Sequence, residues 1–560
     1  MNGPRFLSAE AAAALVQPGW TLASAGFVGA GHAEAVTEAI EQRFLATGQP
    51  HGLTLVYSAG QGDRARRGVN HFGNPGMVRA VCGGHWRSAT RLAALALNEE
   101  IEAWNLPQGV ITHLYRAIAA GQPGLLSRVG LHTFVDPRTA VDARYQGGAL
   151  NRRALQARKA GRAWVEALQL RGEDFLFYPA FPIHCTVLRA TAADAHGNLS
   201  AHGEAFHHEL LALAQATRNS GGLVIAQVRE VVSHYAALAP IRVPGHLVDV
   251  VVHNTDPARH SITFGEQENA SYLQPWRGEA ADSAVPPASA EAEEPPLDAR
   301  RLVQRRAVLA LAELAAQDGD GGHGGPGGRA VVNLGVGMPA AVGGMAAAAG
   351  VRGYTLSVEA GPIGGTPADG LSFGASAWPE AVVDQPAQFD FYDGGGIHLA
   401  VLGMAEVDAQ GNVNVSRFGE GEQAAIAGVG GFINITQGAK TLVFVGTLTA
   451  GGLQVQAEGG RLRIVQEGRV RKLVPAVSHL SYNAAYMAGR GQRVRYITER
   501  AVFEMRLPPG GGPAQLTLTE IAPGLDLQRD VLAVCGAPVA VAPELRTMDE
   551  RIFRGGPFRL

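Results

Sequence analysis

The chain has 560 residues, 46% of them hydrophobic and 17% charged, and its 47 basic and 50 acidic side chains leave a formal charge of −3. At roughly 100–200 residues per domain such a length excludes a single core, and the apolar content excludes global disorder. The near-neutral balance provides no basic field, which argues against nucleic acid or an anionic bilayer as partner.

Glycine stands out, with 73 of 560 positions against a usual share of about 7%. The glycines fall in short clusters beside apolar runs and read as loops feeding strands and helices. Cys82, Cys185 and Cys535 are far apart, with no CxxC or His/Cys cluster, so neither a zinc site nor a disulfide framework is predicted and a reducing cytoplasm fits best. No apolar h-region opens the chain and no 18-residue apolar span occurs, so neither export nor membrane insertion is expected.

In chain order, Gly26–His32 (GFVGAGH) predicts a tight turn leading into a helix over AEAVTEAIEQRFLA. It lacks G-x-G-x-x-G in register and a following acid, so it is not a dinucleotide fingerprint. LTLVYS predicts a strand, SATRLAALALNEEIEAW a helix, and NLPQG at Asn105–Gly109 a loop in which Pro107 and Gly109 hold the Gln108 amide. DFLFYPAF and GLVIAQV predict further strands. Gly278–Pro296 (GEAADSAVPPASAEAEEPP) reads as a linker, RRLVQRRAVLALAELAAQ as a helix, and Asp318–Gly328 (DGDGGHGGPGG) as a mobile surface loop. AVVNLGV, YTLSVE and KLVPAVS predict strands, DFYDGGG a loop where backbone approaches a ligand, EQAAIA a helical stretch, and GVGGF at Gly428–Phe432 a concave anion-binding turn.

Two patterns recur in the same order. GAGHAEAV at Gly29–Val36 is echoed by GVGMPAAV at Gly335–Val342, and DAHGN at Asp194–Asn198 by DAQGN at Asp408–Asn412. Strands alternating with helices mean mainly parallel sheets. The predicted fold class is therefore α/β: two homologous open α/β halves at 1–277 and 298–560, joined by a Pro/Ala/acidic linker at 278–297, with the active site at their interface.

The chemistry concentrates at Tyr354–Gly365, YTLSVEAGPIGG. A strand ends at Glu359, and the glycines and proline after it clear side chains from around the carboxylate. A bare carboxylate with amide donors nearby is the equipment of acyl transfer, a nucleophile and an oxyanion hole. No G-x-S-x-G elbow suggests a serine hydrolase, and no H-E-x-x-H or comparable spacing among the 18 histidines suggests a metal.

The segments SVEAGPIGG, LSFGASAWPEAVVDQPAQFDFYDGGGIHLAVLGMAEVDAQGNVNVSRFG and GVGGFINITQGAKTLVFVGTLTAGG closely resemble the family I coenzyme A transferases of the single-chain acetate/propionate and 3-oxoacid type. GFVGAGHAEAV, HFGNPGMVRAVCGGHW, AWNLPQGVITHLYRAIAAGQPG and VGLHTFVDPR resemble that family's first half. His32-Ala33 departs from the family's more usual proline.

The resemblance implies that Glu359 is the nucleophile, that Gln108 is the side-chain oxyanion donor, and that Gly430 or Gly431 is the backbone donor. It implies a ping-pong transfer of coenzyme A between a short-chain acyl-CoA and acetate, propionate, butyrate or a 3-oxoacid, through a glutamyl-CoA thioester. Gly26, Phe27, Val28, Gly29, Gly364, Gly394, Gly395 and Gly396 are the expected substrate- and CoA-binding positions. No tightly bound cofactor is expected, coenzyme A being a substrate, and a homo-oligomeric dimer or tetramer is implied. An acyl-CoA hydrolase using the same glutamate, or a non-catalytic CoA-binding protein of this fold, are the alternatives.

Overall fold

The computed structural model describes residues 3–560 apart from 140–145, 236, 239, 277–295, 320–329, 420, 422–423, 509–511 and 513, with no side chains described for 317–319. Two ten-stranded sheets dominate the molecule. In the first, β1 (Arg5–Leu7), β2 (Thr21–Ser24), β3 (Leu53–Tyr57), β4 (Val78–Gly83), β5 (Glu102–Asn105), β6 (Cys185–Asp194), β7 (Leu223–Val232) and β8 (Val250–His253) follow the order β1-β8-β7-β6-β2-β3-β4-β5. Every pair along that path is parallel. Strands covered on both faces should be apolar throughout rather than alternating, and β3 and β6 are buried at every position.

The second sheet holds β9 (Ala330–Leu334), β10 (Tyr354–Ser357), β11 (Pro362–Ile363), β12 (Ala381–Val382), β13 (Leu399–Gly403), β14 (Thr441–Val445), β15 (Arg493–Ile497), β16 (Ala501–Arg506), β17 (Gln515–Ile521) and β18 (Ala540–Thr547). They lie in the order β12-β11-β10-β9-β13-β14-β15-β16-β17-β18. The run β10-β9-β13-β14-β15 is parallel, and β16 is antiparallel to both neighbours. In each sheet the chain leaves its first central strand to one side and returns on the other, β3 and β6 flanking β2, β10 and β13 flanking β9. Such reversals open a crevice at the carboxyl ends of the strands, where ligands gather.

The helices that matter for the site are α1 (Glu34–Thr47), α2 (Gln108–Ala119), α3 (Leu210–Asn219), α4 (Ala299–Gly319), α5 (Gln385–Asp393) and α6 (Phe432–Gly438). One apolar cluster takes Leu114 and Tyr115 from α2, Phe389 and Tyr392 from α5, and Ile433 from α6, so the two sheets share a core at the helices between them. Fully burying one such aromatic is worth about 1.5–3 kcal/mol, which makes this junction more than a wet contact.

The repeated Asp-Gly-Asn turns fold alike. Gly197 N–H donates to Asp194 O at 2.9 Å and Asn198 N–H to Asp194 Oδ1 at 2.9 Å; Gly411 and Asn412 bond Asp408 in the same way, each at 2.9 Å.

Several expectations are corrected. The helix in SATRLAALALNEEIEAW stops at Leu97, and its tail is β5. NLPQG is not all loop, because Gln108 is the first residue of α2 with Pro107 as its N-cap. The segment EQAAIA is no helix over its described residues: Ala425–Ile426 pairs as a strand with Arg417–Phe418, and Ile426 joins the apolar cluster that includes Trp86. DFYDGGG is the C-terminal part of α5, and its glycines close that helix. Residues 278–295 of the expected linker and 320–328 of the expected loop lie outside the described residues, while Asp318 and Gly319 belong to α4.

Candidate active site

Glu359 stands two residues past β10, in a turn closed by Val358 N–H to Pro362 O at 2.9 Å and Gly361 N–H to Val358 O at 3.0 Å. Gly361 has φ +126°, and a Cβ there would come within 2.1 Å of Val383 O, so only glycine permits this turn. The carboxylate is 8% exposed, and its Oε2 has no hydrogen-bond partner among the described residues. Burial pushes its pKa up to about 7, against the smaller opposing effects of its own backbone N–H and the Asn333 amide. Beside it, Asn333 Nδ2 donates to Ser357 O and faces Tyr392 Oη, both at 3.2 Å, and Tyr392 Oη bonds Ser357 Oγ at 3.0 Å.

Gln108 is 2% exposed, and its Nε2 is likewise unpartnered. The first N–H groups of a helix have no partner within it, and here the other sheet's loops supply them. Gln108 N–H donates to Gly430 O at 2.8 Å, and Gly109 N–H to Asn434 Oδ1 at 3.1 Å. Asn105, at the end of β5, donates from Nδ2 to Gly83 O at 2.7 Å and Gly84 O at 2.6 Å, and accepts Val429 N–H at 3.0 Å. Gly84 in turn accepts Gly430 N–H at 2.6 Å. These bonds lace the Gln108 turn to the GVGG turn.

Within that turn the four N–H groups differ. Those of Gly428, Val429 and Gly430 donate to Ser416 O, Asn105 Oδ1 and Gly84 O. Gly431, the N-cap of α6, is given no acceptor for its own N–H among the described residues. The two laced turns therefore hold one side-chain amide, Gln108 Nε2, and one main-chain amide, Gly431 N–H, with no partner among the described residues, the kind of donor pair that can stabilise a tetrahedral oxyanion.

The remaining expected positions divide. Phe27 is buried against Phe206 and Phe373, each ring centroid 5.8 Å away, in an apolar cluster that also contains Val358 and Ala360 on either side of Glu359. Val28 packs against the same cluster, and its N–H donates to Gly60 O at 2.5 Å. The Gly26–Gly29 turn thus borders the flanks of Glu359. Gly364 instead donates to Leu356 O and accepts from Ser376 Oγ, which ties up both its backbone groups. Gly394, Gly395 and Gly396 donate to Asp390, Tyr392 and Phe391 carbonyls and end α5 rather than presenting backbone to a ligand. No group of three or more His, Cys, Asp or Glu could hold a metal ion among the described residues.

Four site residues escaped the sequence reading: Asn105, Asn333, Tyr392 and Asn434. Asn333 carried a signal, since a polar residue inside the apolar run AVVNLGV must be hydrogen-bonded for a reason. Asn105 and Asn434 lay inside segments already singled out, NLPQG and GVGGFINITQG.

A buried carboxylate and two amide donors without a partner among the described residues, carried on two mainly parallel sheets, are the equipment of acyl transfer. Residues 6–254 match the family described as Coenzyme A transferase. The chain is 38% identical over 554 residues to the caffeate CoA-transferase of Acetobacterium woodii, covering 98% of this chain and 97% of that one. It is 37% identical over 552 residues to the acetate CoA-transferase YdiF of Escherichia coli K12, covering 98% and 94%. The crystal structure of the acyl-CoA transferase YdiF apoenzyme from Escherichia coli O157:H7 superposes with a TM-score of 0.85 at 35% identity, covering 100% of this chain and 97% of that one, as does the same protein's thioester complex with CoA. The chain belongs to the coenzyme A transferase family, and it is a CoA-transferring enzyme with that family's α/β fold.

Proposed function

We propose that the enzyme transfers coenzyme A between a short-chain acyl-CoA and a free carboxylate, acetate, propionate, butyrate or a 3-oxoacid, with Glu359 as the covalent carrier. The observation that carries this reading is the buried Oε2 of Glu359, which has no hydrogen-bond partner among the described residues. In the first step Oε2 attacks the thioester carbonyl, the C–S bond breaks, and coenzyme A leaves as thiolate with an acyl-glutamyl anhydride behind it. The thiolate then attacks the glutamyl carbonyl, the original acid leaves as carboxylate, and a glutamyl-CoA thioester remains. An acceptor carboxylate repeats both steps in reverse.

Each step passes through a tetrahedral oxyanion, for which Gln108 Nε2 and Gly431 N–H are the donors we assign. Gly430 is the weaker candidate, because its N–H is engaged by Gly84 O. A carboxylate is a poor nucleophile, and burial of Glu359 removes the water that would weaken it further and would hydrolyse the anhydride. Residues 1–277 and 298–560 are taken as two homologous units, and Phe27, Val28 and the turn around them as the wall facing the acyl-CoA. Cytoplasmic residence accords with the unbonded Cys82, Cys185 and Cys535, and a homo-oligomer accords with the family. No helix among the described residues is long and apolar enough to cross a membrane.

Intact-mass measurement after incubation with acetyl-CoA tests the carrier. Wild type should gain the mass of coenzyme A less one water, and Glu359→Ala should gain nothing. An unmodified wild type, or an adduct kept by the variant, overturns the assignment.

A further inference from the structure

A second buried carboxyl group stands apart from Glu359 on the same crevice. Glu209 precedes α3 and is 1% exposed. Its Oε1 accepts the Ser58 hydroxyl at 2.8 Å, while its Oε2 has no partner among the described residues. The same Ser58 Oγ accepts Gln385 Nε2 at 2.9 Å, and Gln385 Oε1 is also unpartnered. Two head groups therefore converge on one hydroxyl, each keeping one oxygen unused. Tyr115 Oη, close enough to Glu209 to feel its charge, is a third buried polar atom without a partner.

This cluster borders the reaction site on two sides. A Cβ on Gly84 would fall 1.9 Å from Ser58 O and 3.4 Å from Gln108 Cα, so Ser58 and Gln108 are separated only by that glycine. Along α5, Gln385, Gln388 and Tyr392 fall at i, i+3 and i+7 and share one face. Tyr392 feels the charge of Glu359 and lies beside Gln388, and Gln385 reaches Ser58. Over seven residues, about 10 Å of helix, this stripe runs from beside Glu359 to Glu209. The main-chain N–H of Gln385 fastens the near end to His208 O at 3.0 Å.

Buried polar atoms are nearly always satisfied, and a group of them open together marks a place where a substrate group or an ordered water completes their hydrogen bonds. Burial pushes the Glu209 pKa up to about 7 against its bond from Ser58, so near neutrality the group offers an O–H as well as acceptor oxygens. Gln385 Oε1 can only accept. Among hydroxyl, carbonyl and methylene groups on a short acyl chain, only the hydroxyl can accept from one and donate to the other; a carbonyl would leave Gln385 Oε1 unmet, and a methylene would leave both.

We propose that Glu209, with Ser58 and Gln385, is a specificity-determining subsite for the acyl group, and that it selects hydroxy acids over the hydrocarbon acids of equal length. The inference rests on the reading of Glu359 as carrier and deepens it.

The test measures kcat/KM for 2-, 3- and 4-hydroxybutyrate and for butyrate as acceptors of coenzyme A from acetyl-CoA, in wild type, E209Q and E209L. Wild type should prefer one hydroxybutyrate over butyrate by about tenfold or more, because a site with buried polar groups rejects the analogue that leaves them unpaired. E209L should bring that ratio to within about twofold of unity while still using butyrate, which also shows that it folds. E209Q, isosteric and able both to donate and to accept, should keep part of the preference and decides the matter if E209L does not fold. Equal use of all four acids by wild type, or an undiminished ratio in both variants, overturns the proposal. Failure of the Glu359 reading would appear separately, as the absence of the covalent adduct with acetyl-CoA.

Discussion

Asn434 Oδ1 accepts the main-chain N–H of Gly109 at 3.1 Å, joining α6 to the first turn of α2 across 325 positions of sequence. The orientation of that amide is not free, because its Nδ2 is held by both oxygens of Asp393, at 2.9 and 3.1 Å. Asp393 thereby decides which end of Asn434 faces Gly109, and through it how firmly Gln108 is aimed. Asn434→Ala should lower kcat by roughly tenfold or more with little change in KM, since positioning errors of the order of 1 Å are costly to catalysis. Steady-state kinetics with a thermal melt on the same preparation separates this outcome from unfolding, which would lower both the active fraction and the melting temperature.

Gln108→Ala removes the proposed side-chain oxyanion donor without touching the main-chain bond to Gly430. The expected loss is about 10²–10³ in kcat, the size seen when one such donor is deleted. Near-normal turnover would take Gln108 out of the oxyanion hole.

Glu359 should make the wild type pay for its nucleophile in stability. Its folded pKa is raised, from 4.5 to about 7, so the folded state holds the proton more tightly than the unfolded one. The penalty is absent below the unfolded pKa, grows between about pH 4.5 and 7, and is complete above 7. At 1.36 kcal/mol per unit it amounts to about 3 kcal/mol. Denaturant titrations of Glu359→Gln should show the variant more stable than wild type at pH 8 and nearly equal at pH 4.5. In the same range the rate of adduct formation should rise with pH through about 7, since only the ionised carboxylate attacks.

Arg189 and Glu204 form a buried pair, each side chain 1% exposed, with Arg189 Nε at 3.1 Å from Glu204 Oε2 and His260 Nε2 at 3.1 Å from Oε1. Burial opposes the charge on Glu204, but the Arg189 guanidinium and His260 hold its carboxyl well below the usual range. Glu204→Ala leaves a buried arginine unpaired and should cost about 3–5 kcal/mol, read as a lowered denaturation midpoint. A loss under about 1 kcal/mol would mean that the guanidinium finds water or another acceptor.

The strand-to-glycine signature of YTLSVEAGPIGG was legible because its geometry is local: the strand, the turn and the φ that Gly361 demands all lie within a few residues. The α/β class was legible for a similar reason, in the spacing of apolar runs. What stayed hidden depends on partners far away in sequence. Nothing near Gln108 says that it opens a helix, because the groups that satisfy that helix's first N–H donors are Gly430 and Asn434. Ala-rich EQAAIA reads as helical by propensity, yet tertiary pairing of Ala425–Ile426 with Arg417–Phe418 overrides it. Glu209 shows no local pattern at all; its meaning lies in Ser58 and Gln385, 151 positions before it and 176 after it.

The turn after β3 reads Ser58-Ala59-Gly60 where the turn after β10 reads Glu359-Ala360-Gly361. One strand end carries the proposed nucleophile and its counterpart a hydroxyl that bonds both Glu209 and Gln385. On the proposed reading the two sheets divide the labour of a single crevice, one keeping the bond-making atom and the other the means of recognising what is bonded. Each polypeptide accordingly contains one turnover centre, not two, and a titration with a glutamate-directed acyl-CoA label should saturate at one equivalent per chain.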